Sequence, residues 1–562
     1  MLSRHFDHWP KRVPRSLVVP ETNPYHNLEV SAARYPNKAA VHYYGGEITY
    51  RRFLEEADAL AGFLQRDLGV AAGDRVLLFM QNSPQFMIAF YAILRANAIV
   101  VPLNPMLLTR ELAFFVADSE PKAAIVGQEL YDRIAPLMEK TSLKHAVVAA
   151  YGDYADRGTD LSLPDSVAAD RKEIDHPCVT LWDTALKLQR RPEPVRFSPD
   201  DIVVLPYTSG TTGQPKGCIH TARTVQANTV GAAVWGNVSA GNVPLSTLPF
   251  FHVTGMIHGM HVPIYAGGSV VLMTRWDRET AAKLIERHRC THWTNISTMV
   301  VDFLSMPDVT KYDLSSLSYI GGGGAPLPEA VGEKLHELTG MRYVEGYGLT
   351  ETIAQTHINP PDRPKLQCLG IPSFDVDARI IDLDTRKELG PGEKGEIVVR
   401  GPQVFKGYWR RPEETEKAFV TLDGKPFFRT GDIGYYDEEG YFFIIDRAKR
   451  MINVSGYKVW PTEVESILYK HPKVQTACVV GVPDPRRGES VKAFIIPREP
   501  YRGKVTEEEI IEWSRGQMAA YKCPRRVEFV DQLPMTASGK ILWRALQEQE
   551  REKAKRESGD GS

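Results

Sequence analysis

The chain of 562 residues carries 68 Lys and Arg against 70 Asp and Glu, a formal net charge of −2. That length is too great for one compact core and predicts about three or four modules. With 43% hydrophobic and 25% charged residues the composition is that of a water-soluble globular protein, and the balanced charge leaves no reason to expect a nucleic-acid-binding surface. The opening residues MLSRHFDHWP lack the apolar run of a signal peptide, which predicts a cytoplasmic protein. Cys178, Cys218, Cys290, Cys368, Cys478 and Cys523 form no Cys-x-x-Cys or Cys/His cluster. Neither zinc nor a disulfide framework is expected, and a reducing compartment fits.

In chain order, residues 75–80 (RVLLFM) read as a buried strand, 84–95 as a helix and 98–101 as a strand. The greasiest run, 86–103, holds Arg95, Asn97 and Pro102 and is not a transmembrane segment. Residues 202–205 (IVVL) and 269–273 (SVVLM) read as strands, the second followed by a helix over 277–289. This alternation predicts parallel sheets covered by helices. From about 375 the pattern changes to β runs joined by turns (377–382, 395–400, 441–446), which predicts a small β-barrel or meander. Residues 459–469 predict a helix with Pro461 near its start. The charged stretch 548–562 has no apolar period and reads as a frayed helix or disordered tail. The fold class is therefore α/β. A large N-terminal domain, 1–446, combines two helix-covered, mainly parallel sheets with the small β-barrel at 375–446. A small α+β C-terminal domain, 447–547, follows a boundary at 446–449.

The most informative stretch runs from Tyr207 to Gly217, YTSGTTGQPKG, directly after the strand at 202–205. Thr208, Ser209, Thr211 and Thr212 supply hydroxyls, Gly210 and Gly213 let the main chain approach a ligand, and Lys216 adds charge. Such a loop can cradle phosphate through backbone N–H groups, hydroxyls and an ammonium. It is not the common P-loop, since no Gly-Lys-Ser/Thr follows and Pro215 interrupts an immediate helix. A polar surface loop is the plain alternative, disfavoured by the density of donors.

Four further segments stand out. In 321–326, GGGGAP, the glycines strip side chains from one edge, so a flat ring can lie against the backbone. Residues 345–352 read EGYGLTET, 429–434 read RTGDIG, and 446–457 read DRAKRMINVSGY. Near the C-terminus, 534–541 read PMTASGKI, with Lys540 approached by flexible residues. Taken singly, each of these has an ordinary structural explanation as a turn, a core tyrosine or a solvated lysine.

Together the segments resemble the AMP-forming acyl-CoA synthetases, the superfamily that includes adenylation domains and firefly luciferase, and look closest to bacterial fatty-acid and medium-chain acid ligases. The resemblance spans roughly residues 27–546. It implies that ATP, Mg2+ and coenzyme A are used and that a carboxylic acid is activated to acyl-AMP, then converted to acyl-CoA with release of AMP and pyrophosphate. It also implies that the C-terminal domain is mobile. Adenine would lie between the glycine-rich segment (Gly323, Gly324, Ala325) and Tyr347 within Glu345, Gly346, Tyr347 and Gly348. Thr350 would donate to the α-phosphate, Glu351 would hold Mg2+ with Thr211 as the second metal candidate, and Asp432 would accept the ribose hydroxyls. Arg447 would reach the ribose, and Lys449 would be the hinge residue. Gly456 and Tyr457 would face the pantetheine channel, and Lys540 would bridge the acid and the α-phosphate. Arg450 departs from the family pattern, in which many relatives carry an acidic residue at that place.

The segment 248–256 (LPFFHVTGM) resembles the border of the acyl pocket, which puts His252 near the reacting carbonyl. It lacks the Asp that amino-acid-activating relatives use, so an aliphatic acid is expected. Trp235, Trp293, Ser297 and Met256 are pocket candidates that core packing explains equally well. No carrier domain follows Lys540, which favours free coenzyme A. The rival readings are a stand-alone adenylation enzyme serving a separate carrier protein, a luciferase-like oxygenase, and a non-catalytic nucleotide- or acyl-binding protein. The oligomeric state stays open, with a dimer as one option.

Overall fold

The computed structural model describes residues 3–11, 13–208, 214–455, 457–484, 486–535 and 541–559, with the side chains of 555 and 557–559 excepted. A seven-stranded sheet runs in the order Val179–Leu181, His145–Ala149, Ala123–Gly127, Arg75–Phe79, Ile99–Pro102, Ile202–Val204, His220–Thr221, parallel except for its last pair. A nine-stranded sheet has a parallel centre, Val344–Leu349, Tyr319–Gly323, His292–Asn295, Pro244–Ser246, Val270–Leu272 and Ala39–Tyr43. Antiparallel strands edge it on both sides.

The helix Pro84–Arg95 starts where Ser83 caps it and Pro84 takes the first turn. Every residue from Pro84 to Leu94 is buried, which explains why its sequence is apolar on all sides. Its side chains share one core with Val76 and Leu78 of the first sheet, Val270 and Leu272 of the second, and Ala222 and Val225 of the helix Ala222–Trp235. All six cysteines are unpaired.

The section expected as a barrel or meander is a five-stranded antiparallel sheet. Its long strand Lys425–Tyr436 pairs with Gly395–Arg400 on one edge and with Phe419–Leu422 and Phe442–Arg447 in succession on the other. Among the described residues these pairings form an open order in which Gly395–Arg400 pairs with Lys425–Tyr436 and not with its chain neighbour Phe419–Leu422, so the section is neither a closed ring nor a plain meander. Beyond the short 3-10 turn Ala448–Arg450, a separate mixed sheet builds on the hairpin Val474–Asp484 and Gly488–Pro497. The helices Pro461–Leu468, Glu507–Arg515 and Trp543–Gly559 pack on it. The last helix continues through most of the stretch read as a tail, resting on Leu546 and on Glu550, which pairs with the buried Lys492. No helix among the described residues is long and apolar enough to cross a membrane.

The glycine-rich strand is explained largely by packing. A Cβ on Gly321 would meet Val344 O at 2.5 Å, on Gly322 would meet Asn295 O at 1.9 Å, and on Gly323 would meet Gly346 O at 2.4 Å. Only Gly324, at φ +86°, has open space around its Cβ direction. Three of the four glycines therefore let neighbouring strands close, and the fourth takes a left-handed turn at the strand end. Gly322→Ala should lower the thermal midpoint by an amount matching about 1–3 kcal/mol of overpacking, measured by calorimetry; an unchanged midpoint would show that the strands can part at no cost.

Candidate active site

A cleft of about 2290 Å3 lies where the nine-stranded sheet, the five-stranded sheet and the C-terminal domain meet. At its centre Asp432 is fully buried, at 0% exposure. Tyr347 donates its hydroxyl to Asp432 Oδ2 at 2.6 Å, and Arg447 Nε lies 3.0 Å from Oδ1. The antiparallel register sets this up, since Asp432 and Arg447 are direct cross-strand partners. Burial, and then the Asp432 charge, push the Tyr347 phenol well above its ordinary range, so it remains a donor. The Asp432 charge in turn raises Arg447, which stays cationic beside the cleft.

Beside this trio the chain makes a strained turn. Thr350–Thr352 is a 3-10 turn, after which Ile353 takes φ 45° and Ala354 φ 107°. Positive φ at a β-branched residue is costly and persists only where its surroundings hold it. Asn228 does so: its Nδ2 lies 3.0, 3.0 and 3.2 Å from the carbonyls of Thr352, Ile353 and Gln355. The Thr352 hydroxyl donates to Ala354 O at 2.7 Å, and His220 Nε2 donates to Thr350 O at 2.8 Å. Burial drops the His220 pKa to about 4, so the ring is neutral. The turn thereby presents Thr350 and Glu351 to the cleft.

Glu351 accepts the Tyr408 hydroxyl on Oε1 at 2.8 Å. Burial pushes its carboxyl upward. A carboxylate on the cleft wall suits a hard divalent cation shared with phosphate oxygens, so Glu351 fits Mg2+. Opposite it, Lys216 Nζ pairs with Glu414 at 2.8 Å and sits 4.3 Å above the Tyr408 ring. The neck of the Gly/Thr loop is closed by Thr208 N to Lys216 O (2.9 Å), by Lys216 N to Thr208 Oγ1 (3.1 Å) and by a bridge between Tyr207 and Gly217. Lys449 has its pKa lowered by burial and then by the charges of Lys216, Arg544 and Arg447. Cations that repel one another around a cleft are relieved by a bound polyanion.

The described residues bring Thr208, Lys216, Gly323, Gly324, Ala325, Glu345, Gly346, Tyr347, Gly348, Thr350, Glu351, Asp432, Arg447 and Lys449 to this one cleft, together with His252, which is exposed on its wall. Ser209, Gly210, Thr211, Thr212, Gly456 and Lys540 lie outside the described residues. Of the groups that flank Lys540, Ile541, Trp543 and Arg544 line the cleft, whereas Tyr457 is 59% exposed, stacks on Tyr521 and is not part of the wall.

Glu345 has a scaffolding partner set. Its Oε1 accepts the backbone N–H groups of Leu327 and Gln367 at 3.1 and 3.0 Å, which pins the loop after the glycine-rich strand. Of the four acyl-pocket candidates, none faces the cleft. Trp293 is buried and stacks on Trp276 at 5.6 Å, Met256 and Ser297 are buried, and Trp235 packs in another cluster with Phe374. Phe251, Trp276, Met299, Thr254, His258 and Tyr319 line the wall in their place. Arg450 is held by Glu465 at 2.5 Å and Asp446 at 3.8 Å, with Trp543 5.5 Å from its guanidinium. Sequence reasoning missed Asn228 and the Glu465 partner. The only signal for the first was a run of polar residues, Gln226, Asn228 and Thr229, inside an otherwise apolar helix.

The model of the family "AMP-binding enzyme" matches residues 28–409, and that of the "AMP-binding enzyme C-terminal domain" matches residues 463–540. A long-chain-fatty-acid–CoA ligase of Bacillus subtilis (strain 168) is 37% identical, with 97% of each chain covered. A feruloyl-CoA synthase of an Amycolatopsis species is 34% identical over 90% of this chain and 95% of its own. The crystal structure of ATP-bound MatB from Rhodopseudomonas palustris superposes with a TM-score of 0.80 at 29% identity, covering 94% of this chain and 99% of that one. The chain belongs to the AMP-binding enzyme family, the adenylate-forming acyl-CoA ligases.

Burial raises the Glu345 carboxyl to about 7 from its ordinary 4.5. The folded protein then holds a proton there that the unfolded chain has lost, so this group's contribution to stability falls as pH rises from 4.5 to about 7. Glu345→Gln keeps the oxygen acceptor and removes the titration. Denaturant unfolding at mildly acidic and mildly alkaline pH should show the variant gaining on the wild type at the higher pH, by up to about 3 kcal/mol. Parallel curves would mean that Glu345 is ionised throughout.

Proposed function

We propose that this protein joins a carboxylic acid to coenzyme A in two steps at the cleft, with Asp432, Tyr347 and Arg447 gripping the nucleoside of ATP. The buried Asp432 held by Tyr347 and Arg447 on a cleft that Lys216, Lys449 and Arg544 also line is the observation that carries this reading, with membership of the family beside it. Asp432 accepts from the ribose hydroxyls, Tyr347 and the Gly323–Ala325 edge flank the base, and Thr350 donates to the α-phosphate. Glu351 would hold Mg2+, with Thr211 as its candidate companion. The ion neutralises phosphate charge when bound. Thr208, Ser209, Gly210, Thr211, Thr212 and Lys216 wrap the departing phosphates.

A carboxylate is a poor acyl donor because its leaving group is oxide. In the first step its oxygen attacks the α-phosphorus and the bond to the β-phosphate oxygen breaks, which gives acyl-AMP and pyrophosphate. Two anions meet in this step, so fixed cations and donors matter more than a general base. Lys540 supplies the cation between acid and α-phosphate, and His252 lies by the carbonyl. In the second step the thiol of coenzyme A loses its proton and attacks the carbonyl, and AMP leaves.

Ile541, Trp543 and Arg544 on the cleft wall and Tyr457 outside it favour assigning this orientation to the first step. Rotation at Lys449 would exchange Lys540 for Gly456 and Tyr457 in the second. An aliphatic acid is the reading favoured by the name of the Bacillus relative and by the apolar wall of Phe251, Phe114 and Met299.

Acid-dependent exchange of labelled pyrophosphate into ATP across a panel of carboxylates, with and without coenzyme A, tests the first step directly. Lys540→Ala should slow that exchange by roughly a hundredfold or more, while thioester formation from supplied acyl-AMP proceeds at near the wild-type rate. Equal damage to both half-reactions would overturn the division of labour between the two orientations.

A further inference from the structure

A narrow chamber of about 30 Å3 lies beside the cleft. Thr247, Thr254, His258, Thr294, Tyr319 and Ile358 line both spaces, so the two adjoin. The chamber lies between the helix Ala222–Trp235, the π-helical turn Gly255–His261 and the strands Pro244–Ser246 and His292–Asn295. Its walls are mainly carbon, from Ala232, Val238, Leu245 and Val262. His292 closes one side, bonded through Nε2 to Gly236 O at 2.9 Å and through Nδ1 to the Thr291 hydroxyl at 2.9 Å. At this size the space holds one or two water-sized groups, so it receives the tip of a substrate and not its length.

The polar groups of this chamber fall into two sets. Ser246 donates to Gly259 O at 2.8 Å, Trp293 donates to the Thr247 hydroxyl at 3.3 Å, and His258 Nε2 meets Gln355 Oε1 at 2.8 Å. Among the described residues, the hydroxyls of Thr254, Thr294 and Tyr319 have no hydrogen-bond partner. Tyr319 is held in place by its ring, which stacks on His292 at 5.6 Å and 20°, and burial raises its phenol so that it stays protonated. A saturated hydrocarbon end in this chamber would strip water from three hydroxyls and return nothing, which is costly. A ligand oxygen would satisfy them.

Resting on the acid-activating reading above, we propose that the chamber seats a hydrogen-bonding group, a hydroxyl or carbonyl oxygen, at the far end of the acid. Tyr319 is its main specificity-determining residue, with Thr294 and Thr254 beside it. The preferred substrate is then an oxygenated acid, and the plain alkyl acid of equal length is the poorer one. Sites built to hydrogen-bond a substrate group reject analogues lacking it far more strongly than apolar pockets sort methylenes.

The test compares kcat/KM in pyrophosphate exchange for straight-chain acids from hexanoate to hexadecanoate with their terminal-hydroxyl counterparts. At the best chain length the hydroxy acid should win by about tenfold or more. Tyr319→Phe should bring that ratio close to one. Thr294→Val should reduce the ratio in the same direction and serves as the second variant if Tyr319→Phe folds poorly. A wild-type ratio at or below one at every length, as expected if the hydroxyls hold only water, overturns the inference, as does a ratio that both variants leave unchanged. Absence of exchange with every acid would instead sink the underlying assignment of function.

Discussion

The structure turns on one buried charge. Asp432 sits in the five-stranded sheet, takes a hydrogen bond from Tyr347 on the nine-stranded sheet, and pairs with Arg447 at the end of the last strand before the C-terminal domain. A carboxylate at 0% exposure is expensive to leave unpaired. Three strands from two sheets therefore have to be in register for the charge to be tolerated. The same requirement fixes the geometry of the cleft, because the groups that satisfy Asp432 are those that border it. On the reading proposed here, the ribose replaces water in this arrangement and meets a site whose polar atoms are already aligned.

Around that joint the cleft is built to be incomplete without an anion. The charges of Lys216, Arg544 and Arg447 bear on the partly buried Lys449, and the strained turn at Ile353–Ala354 holds Thr350 and Glu351 in a conformation the backbone alone would not choose. Asn228 and Thr352 hold that turn from below. Such preorganisation places donors and charges before the reaction starts, so none has to be reoriented as charge develops on phosphorus. The single positive charge at Arg450 extends the same logic past the strand end. Its pairs with Asp446 and Glu465 tie residues on both sides of the 3-10 turn Ala448–Arg450.

The elements legible in the sequence were those dictated by local pattern. The helix at 84–95 stood out by its apolar composition, and the strands at 75–79 and 395–400 by short apolar runs. The motif segments around Tyr347, Asp432 and Lys449 were recognisable because glycine and hydroxyl residues cluster there for backbone reasons. What stayed hidden depends on partners distant in sequence. Glu345 belongs to the motif read as bordering adenine, and its oxygen accepts from the distant amides of Leu327 and Gln367. The glycines at 321–323 looked like space for a ring and turn out to be space for neighbouring strands. Trp293 and Met256 are as apolar as any pocket residue, and only the sheet order decides that they face the core. Tyr319 carried no local mark at all, because its meaning lies in the chamber that distant segments enclose.

The central claim is that the acid is activated by bonding to the α-phosphorus of ATP. An acid labelled with heavy oxygen in its carboxylate decides this in one turnover with coenzyme A. The account predicts AMP carrying one labelled oxygen on its phosphate, with unlabelled pyrophosphate. Label recovered in pyrophosphate or inorganic phosphate, or AMP free of label while acyl-CoA accumulates, would contradict it.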